Sequence, residues 1–259
     1  MQQLVFIPVR TPILTPEDRI SDALIGSMEK ERITPEDGDI FIIAESAVAT
    51  TEGRLVDLSS VTPTEEALRL AEKYMIEPRE MELILREADE IIGGVPGVVL
   101  TITRGVLSPN TGIDSSNAPE GHVTLMPLNP TASAREIRSA LEEHYGCRCA
   151  VIISDSRTQP LRLGTIGVAL GCSGIEPVED ARGRRDLYGK PLRITQRAIA
   201  DNLASAAQLL MGEASEGVPA VIARGTGLYM RDRGDGEAQE IPLIPRDECL
   251  FFGALRSND

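Results

Sequence analysis

The chain has 259 residues, 42% of them hydrophobic, and its charged residues sum to −14. Such a composition supports a real apolar core and excludes a disordered chain. The acidic balance argues against a primary role on nucleic acid or anionic membranes. No run approaches the roughly 20 apolar residues that span a bilayer. Residues 1–10 lack the basic start and long apolar stretch of a secretory leader. Cys147, Cys149, Cys172 and Cys249 have neither a disulfide-framework spacing nor a CxxC zinc spacing, so reduced thiols in a cytoplasm are expected. With two histidines, a bound metal would draw on carboxylate and other oxygen ligands, which favours magnesium or manganese over zinc.

In chain order, QLVFIPV reads as an opening strand. TPEDRISDALIGSMEKER follows with Ile20, Leu24 and Met28 at helical spacing, and Thr15 and Pro16 suit its N-cap and first position. GDIFIIAES is a short buried strand with a polar end. TPTEEALRLAEKYM is a helix capped by Thr62 or Thr64, and PREMELILREADEII is a third helix. GVVLTITRGVL is strand-like and runs into the loop SPNTGIDSSNAPEG. TASAREIRSALEEHYG is an amphipathic helix with Gly146 at the usual glycine stop. CAVIISDS is a buried strand ending at Asp155. The glycines of GTIGVALGCSG imply close backbone packing or bends. RGRRDLYGKPLRIT is polar and then strand-like, RAIADNLASAAQLLMG is a strong helix, and VPAVIARG is a strand. Helices and strands in irregular order mean an α+β or α/β fold. With no internal repeat and no low-complexity linker, residues 1–259 read as a single unit, the alternative being two subdomains whose boundary the sequence does not mark. The absence of GxGxxG after the first strand and of GxxxxGK[ST] anywhere argues against a Rossmann or P-loop site.

Three carboxylates share one setting, the glycine- or serine-rich exit of an apolar element: Asp114 in GIDSSN, Asp155 in VIISDS and Glu213 in LLMGEASEG. Each alone suits a turn former, a cap or a solvated charge. Converging from rigid elements, they would hold divalent cations, and the cations would hold phosphates. MGEASEG also offers little-obstructed N–H groups at Gly212, Ser215 and Gly217, although an ordinary helix-ending loop would read the same way. RGRRDLYG packs Arg182, Arg184 and Arg185, whose forks suit carboxylates or phosphates, or simply a solvated basic turn. Cys172 reads as a small buried residue.

The segments GDIFIIAESAVATTEGR, NTGIDSSN, IISDSRTQPLRLGTIGVALGCSGIEPVEDARGRRDLYGKPL and LLMGEASEGVPAVIARG occur in that order. The combination resembles the coenzyme F420-0:L-glutamate ligase family over nearly the whole chain, with GIDSSN, RGRRDLYG and LLMGE the most specific pieces. The resemblance implies an α+β fold working as an intertwined homodimer. It implies GTP-dependent attachment of L-glutamate to the lactyl carboxylate of the deazaflavin precursor F420-0, followed by γ-linked extension. It also implies magnesium or manganese at two sites and activation by potassium. On this likeness Asp114 and Asp155 are ligands of one metal, and Ser156 and Glu213 of a second. The nucleotide site comprises Thr11, Pro12, Ile13 and Leu14; Glu45, Ser46 and Thr50; Asn117; and Met211, Gly212, Glu213, Ala214, Ser215, Glu216, Gly217 and Val218. Arg182, Arg184 and Arg185 are candidates for holding the acidic acceptor or the incoming glutamate.

Two departures stand out. The family usually carries a lysine where this chain has Thr50, so a phosphate-facing ammonium is lost. After the metal aspartate it usually has glycine, arginine and an aromatic before a final arginine. Here Ser156, Arg157, Thr158, Gln159, Pro160 and Leu161 precede Arg162, and Arg157 is the candidate to replace the lost charge from a different direction. The alternatives are a paralogue joining an amine to a different carboxylate by the same route, and a non-catalytic nucleotide-binding relative.

Overall fold

The computed structural model describes residues 3–231 and 240–256. The chain opens with β1 (Val5–Val9), α1 (Ile20–Glu31), β2 (Asp39–Ala44), α2 (Glu45–Thr51) and β3 (Leu55–Asp57). It continues through α3 (Glu65–Tyr74), α4 (Pro78–Glu87), β4 (Glu90–Val95), β5 (Val98–Thr103), β6 (Val106–Pro109) and β7 (His122–Thr124). Then come α5 (Pro130–Tyr145), β8 (Cys149–Thr158), β9 (Thr165–Ser173), β10 (Val178–Asp180) and β11 (Gln196–Ala198). The described elements end with α6 (Ile199–Met211), β12 (Ala220–Arg224) and α7 (Leu250–Arg256). The mixture of helices with several separate sheets is the α+β architecture expected.

The central sheet has the order β1-β12-β2-β8-β9. Its middle pair, β2 and β8, is parallel, with Asp39 opposite Cys149 and Ala44 opposite Ser154. A parallel pair covered on both faces needs continuous apolar sequence rather than alternation, and both strands supply it. On one face Ile40, Ile42, Ala150 and Ile152 pack against Ala204 and Ala207 of α6. On the other, Phe41, Ile43, Val151 and Ile153 pack against Leu24 and Met28 of α1 and Leu141 of α5. Strand side chains alternate, so the same two faces continue to the end of β8: Ser156 belongs to the α6 side, Asp155 and Arg157 to the other.

Glycines let the helices reach the sheet. A Cβ on Gly167 would lie 2.4 Å from the Ala204 carbonyl oxygen of α6, and one on Gly171 would lie 2.3 Å from the Pro130 carbonyl carbon of α5. β9 is an edge strand, and α6 covers that edge with a polar stripe at i, i+4 and i+7. Asp201 accepts the Ala169 N–H at 2.9 Å, Ser205 donates to the Gly167 carbonyl at 2.7 Å, and Gln208 donates to Thr165 Oγ1 at 3.2 Å. A second core joins α3 and α4 to β5 and β7 through Leu70, Met81, Ile84, Val99 and Val123.

Thr64 caps α3, accepting the Ala67 N–H at 3.3 Å, and Gly146 ends α5 in the left-handed region at φ +68°. Four expectations need correcting. The first helix begins at Ile20, because Asp18 takes both the N–H and the hydroxyl of Thr15, at 2.7 and 3.0 Å, and closes a turn there. The helix expected over 78–92 ends at Glu87. Asp89 donates its N–H to Ile102 at 2.8 Å, and the following residues pair with β5. The strand expected to stop at Asp155 runs on to Thr158, held by β9. Glu45, read as a strand end, starts the short helix α2. The four cysteines are free thiols, with Cys149 and Cys172 buried. Burial pushes the Cys172 thiol up to about 12. Among the described residues no helix is long and apolar enough to cross a membrane.

Candidate functional site

β8 delivers two of the candidate side chains to opposite faces of the sheet. On the α6 side, Ser156 Oγ donates to Glu213 Oε1 at 2.8 Å. Thr165 Oγ1 donates to the same oxygen at 3.3 Å. Gln208 Nε2 reaches Ser156 Oγ at 2.9 Å and also hydrogen-bonds Glu213. Glu213 is placed by the end of α6, where Gly212 leaves the helix at φ +71°. The structure thus brings together Ser156 and Glu213, both named from the sequence, and adds Gln208 and Thr165, which sequence reasoning did not single out. The signal for Gln208 was present in the polar stripe Asp201, Ser205 and Gln208 on a helix that is otherwise apolar except for Asn202.

On the other face, Asp155 accepts the Ser156 N–H at 2.6 Å and the Arg157 Nε–H. Burial raises the proton affinity of Asp155; Arg157 and the Ser156 N–H oppose this, and the charge of Asp114 adds to it. Glu45, at the junction of β2 and α2, is 8% exposed. Its carboxyl accepts the N–H of Ser46. Burial holds Glu45 well above the usual carboxylate range, and the negative charges of Asp155 and Asp114 push it further. Glu45, Asp114 and Asp155 therefore form one electrostatic group, in which Arg157 is the opposing cation.

Asp114 itself is exposed. Its Oδ1 accepts the Ser116 N–H at 2.8 Å, the turn that Asp forms with its own backbone. Its backbone is fixed by a bridge to Thr124, with N–H to O distances of 3.1 and 2.8 Å. Asn117, in the same loop, takes the left-handed conformation at φ +56°, which Asn tolerates better than most residues.

The proposed nucleotide segments adjoin one another. Thr11 donates its N–H to the Gly217 carbonyl at 3.4 Å, which sets Pro12, Ile13 and Leu14 beside the loop from Met211 to Val218. Ile13 is 95% exposed, whereas Leu14 packs on the core. Within the second loop the Glu216 carboxylate accepts the Ala214 N–H at 2.8 Å and folds over Gly212, where a Cβ would lie 2.1 Å from it. Thr50 lies one helical turn beyond Ser46 and donates its hydroxyl to the Ser46 carbonyl at 2.8 Å.

Arg157 is not available to a phosphate. Its guanidinium is committed to Asp155, to Leu107 O at 2.8 Å, to Ser108 Oγ and to Met126 Sδ at 3.5 Å. The expectation that it replaces the charge lost from the segment after Asp155 is therefore corrected: its charge is spent beside Asp155. Arg182, Arg184 and Arg185 are each engaged within their own exposed hairpin. Arg182 forks onto Asp180, Arg184 pairs with Glu179, and Arg185 donates to the Gly189 carbonyl at 2.8 Å.

Among the described residues no three His, Cys, Asp or Glu side chains stand together as a ready-made metal cage. The donors come instead in pairs, all oxygen: Ser156 with Glu213, and Asp155 in the electrostatic group of Asp114. That set fits magnesium or manganese, which bind through one or two carboxylates and complete their shells with water and phosphate oxygens.

The sequence matches the family described as F420-0:Gamma-glutamyl ligase over residues 8–225. It is 44% identical over 211 residues to the coenzyme F420:L-glutamate ligase of Methanopyrus kandleri, covering 81% of this chain and 82% of that one. It is 41% identical over 243 residues to the ligase of the same name from Methanothermobacter thermautotrophicus, covering 93% and 96%. With the corresponding protein of Archaeoglobus fulgidus it shares 34% identity over 250 residues, 96% and 97% of the two chains. The chain belongs to the F420-0:Gamma-glutamyl ligase family.

Proposed function

We propose that the protein is a GTP-dependent ligase that attaches L-glutamate to the lactyl carboxylate of F420-0 and extends the product by γ-linkage. The observation that carries this reading is the end of β8, which sends Asp155 toward Glu45 and Asp114 and Ser156 toward Glu213. A free carboxylate is a poor acyl donor, because its leaving group would be oxide. Attack of that carboxylate oxygen on the γ-phosphorus of GTP releases GDP and forms an acyl phosphate. The glutamate amine then attacks the acyl carbon, phosphate leaves, and the ammonium proton is lost as the amide forms. Asp114 with Asp155, and Ser156 with Glu213, would hold divalent magnesium or manganese, which would offset negative charge during the phosphoryl transfer. The neighbouring segments 11–14 and 211–218 supply the walls for the nucleotide, and Gln208 and Thr165 orient Ser156 and Glu213.

Potassium enters as the monovalent activator that the family likeness implies. A homodimer is supported by Leu161, Leu163, Leu187, Tyr188 and Ile194, which are almost fully exposed on two projecting segments. The free, largely buried thiols fit a reducing cytoplasm. A second reading, a paralogue acting on a different carboxylate, is favoured by Thr50 at the lysine position and by Arg157 beside Asp155.

The test is turnover. Purified protein is mixed with F420-0, L-glutamate, GTP and manganese, and the product is followed by mass. Addition of one or more glutamyl units with release of GDP supports the first reading. Binding of GTP and metal without product would overturn it in favour of the second.

A further inference from the structure

We propose that Arg157 is a positioning residue of the reaction site, a built-in counter-cation that ties Asp155 to both flanks of the Asp114 loop and thereby weakens divalent-cation binding at Asp155. The proposal rests on the reading of Asp155 as a cation ligand.

Four contacts carry it. The Arg157 side chain is 6% exposed, and its Nε–H donates to Asp155 Oδ2. Nη1 donates to the Leu107 carbonyl at 2.8 Å and to Ser108 Oγ, both in β6, upstream of Asp114. Nη2 meets Met126 Sδ at 3.5 Å, just past β7, whose Thr124 bridges the Asp114 backbone. One side chain thus grips the chain on both sides of Asp114. Gly112 completes the fit: a Cβ there would lie 2.6 Å from Met126 Cγ and Sδ, so Met126 is held between that backbone and the guanidinium.

Two consequences follow from one permanent charge. A guanidinium is not deprotonated in proteins, so it repels any divalent ion approaching the same carboxylate. Even at the dielectric constant of bulk water, the repulsion between one unit charge and a divalent ion about 6 Å away is worth on the order of tenfold in affinity. At the same time the fork fixes the Asp155 rotamer and the Asp114 loop before any ligand arrives, which removes reorganisation from the reacting complex.

The test is a titration of manganese into the nucleotide-free full-length protein, with free ion read by electron paramagnetic resonance, beside steady-state kinetics. Four proteins are compared: the parent, Arg157→Gln, Arg157→Lys and Asp155→Asn. Asp155→Asn should lose the site. Arg157→Gln should bind manganese about tenfold tighter while kcat falls. Arg157→Lys keeps the charge but loses the fork, so its manganese affinity should stay parental while its kcat falls. A purely structural role for Arg157 would loosen manganese in both Arg157 variants, and that result overturns the proposal. If Asp155→Asn loses the site while Arg157→Gln binds no tighter than the parent, the proposal fails and the ligand reading stands. If Asp155→Asn binds like the parent, the ligand reading fails and the proposal falls with it. Should Arg157→Gln not fold, the Arg157→Lys affinity decides alone, and a change in it overturns the proposal.

Discussion

Gln208 Nε2 lies 2.9 Å from Ser156 Oγ, so a residue on α6 orients a hydroxyl on the neighbouring strand. The same amide touches Thr165 and Glu213, which makes Gln208 the hub of the Ser156 and Glu213 pair. Outer partners of this kind fix ligand rotamers, and their loss typically costs about 10–100-fold in affinity or activity. Gln208→Ala should therefore lower turnover by about 10–100-fold. The stability loss should stay near ~1 kcal/mol, since the hydrogen bonds removed lie near the surface. Steady-state kinetics paired with a urea melt reads both numbers. Parental kcat in this variant would remove Gln208 from the site.

Asp155 and Arg157 are a buried ion pair, with side chains 14% and 6% exposed. Removing one partner of such a pair leaves a charge uncompensated, typically at about 3–5 kcal/mol. Leu107 O and Ser108 Oγ still accept from the guanidinium, so Asp155→Asn should cost somewhat less, about 2–3 kcal/mol, and should abolish turnover. The double variant Asp155→Asn with Arg157→Met should regain much of the stability and none of the activity. A denaturant series on the four proteins of this cycle measures the coupling. Full activity in Asp155→Asn would refute its place in the site.

Much of this was legible in the sequence, and the residues show why. The α3 and α5 caps were readable because Thr64 and Gly146 do chemistry local to their own helix ends. The fully apolar runs of β2 and β8 announced strands buried on both faces. Tertiary partners decided the rest. Residues 90–92 follow a helix without a break in pattern, and only pairing with β5 makes them part of a strand. Asp155 resembled a strand end because polar residues follow it, yet Arg157 is buried by contacts with β6 and Met126, which are distant in sequence. The two faces of the site follow from alternation along β8 once its register is known. The convergence of Asp114 with Asp155 is a property of the long-range β3 and β7 pairing and the Thr124 bridge, for which no local signal exists.

Thr50 sits on α2 one turn after Ser46, with its hydroxyl returned to the Ser46 carbonyl. If that helix face still looks toward the nucleotide phosphates, Thr50→Lys adds the ammonium that the resemblance implies at this position. The gain in GTP binding should be about tenfold, as expected for one added charge near a phosphate in a partly screened site. Loss of the Thr50 back-bond should be nearly neutral, because such bonds slightly destabilise helices. Calorimetric titration of GTP into both proteins gives the comparison. An unchanged affinity would show that α2 has been turned to another use.

Asp201, in the first turn of α6, accepts the Ala169 N–H at 2.9 Å while half-buried against β9. Burial raises its pKa above the ordinary 3.8, and the N–H contact only partly offsets this. The sign follows from proton counting. Between the unfolded and folded pKa values the folded protein binds more protons, so the Asp201 contribution to stability is fully present below 3.8 and is lost as pH rises through the folded value. Asn keeps the acceptor oxygen for Ala169 and removes the titration. The stability of the parent relative to Asp201→Asn should therefore decline as pH rises above 3.8 and level off once the folded group has ionised. Urea melts of the two proteins across that range give the difference curve directly. A flat curve would mean that the positive end of the α6 dipole cancels the burial cost, and a rising one that the dipole exceeds it.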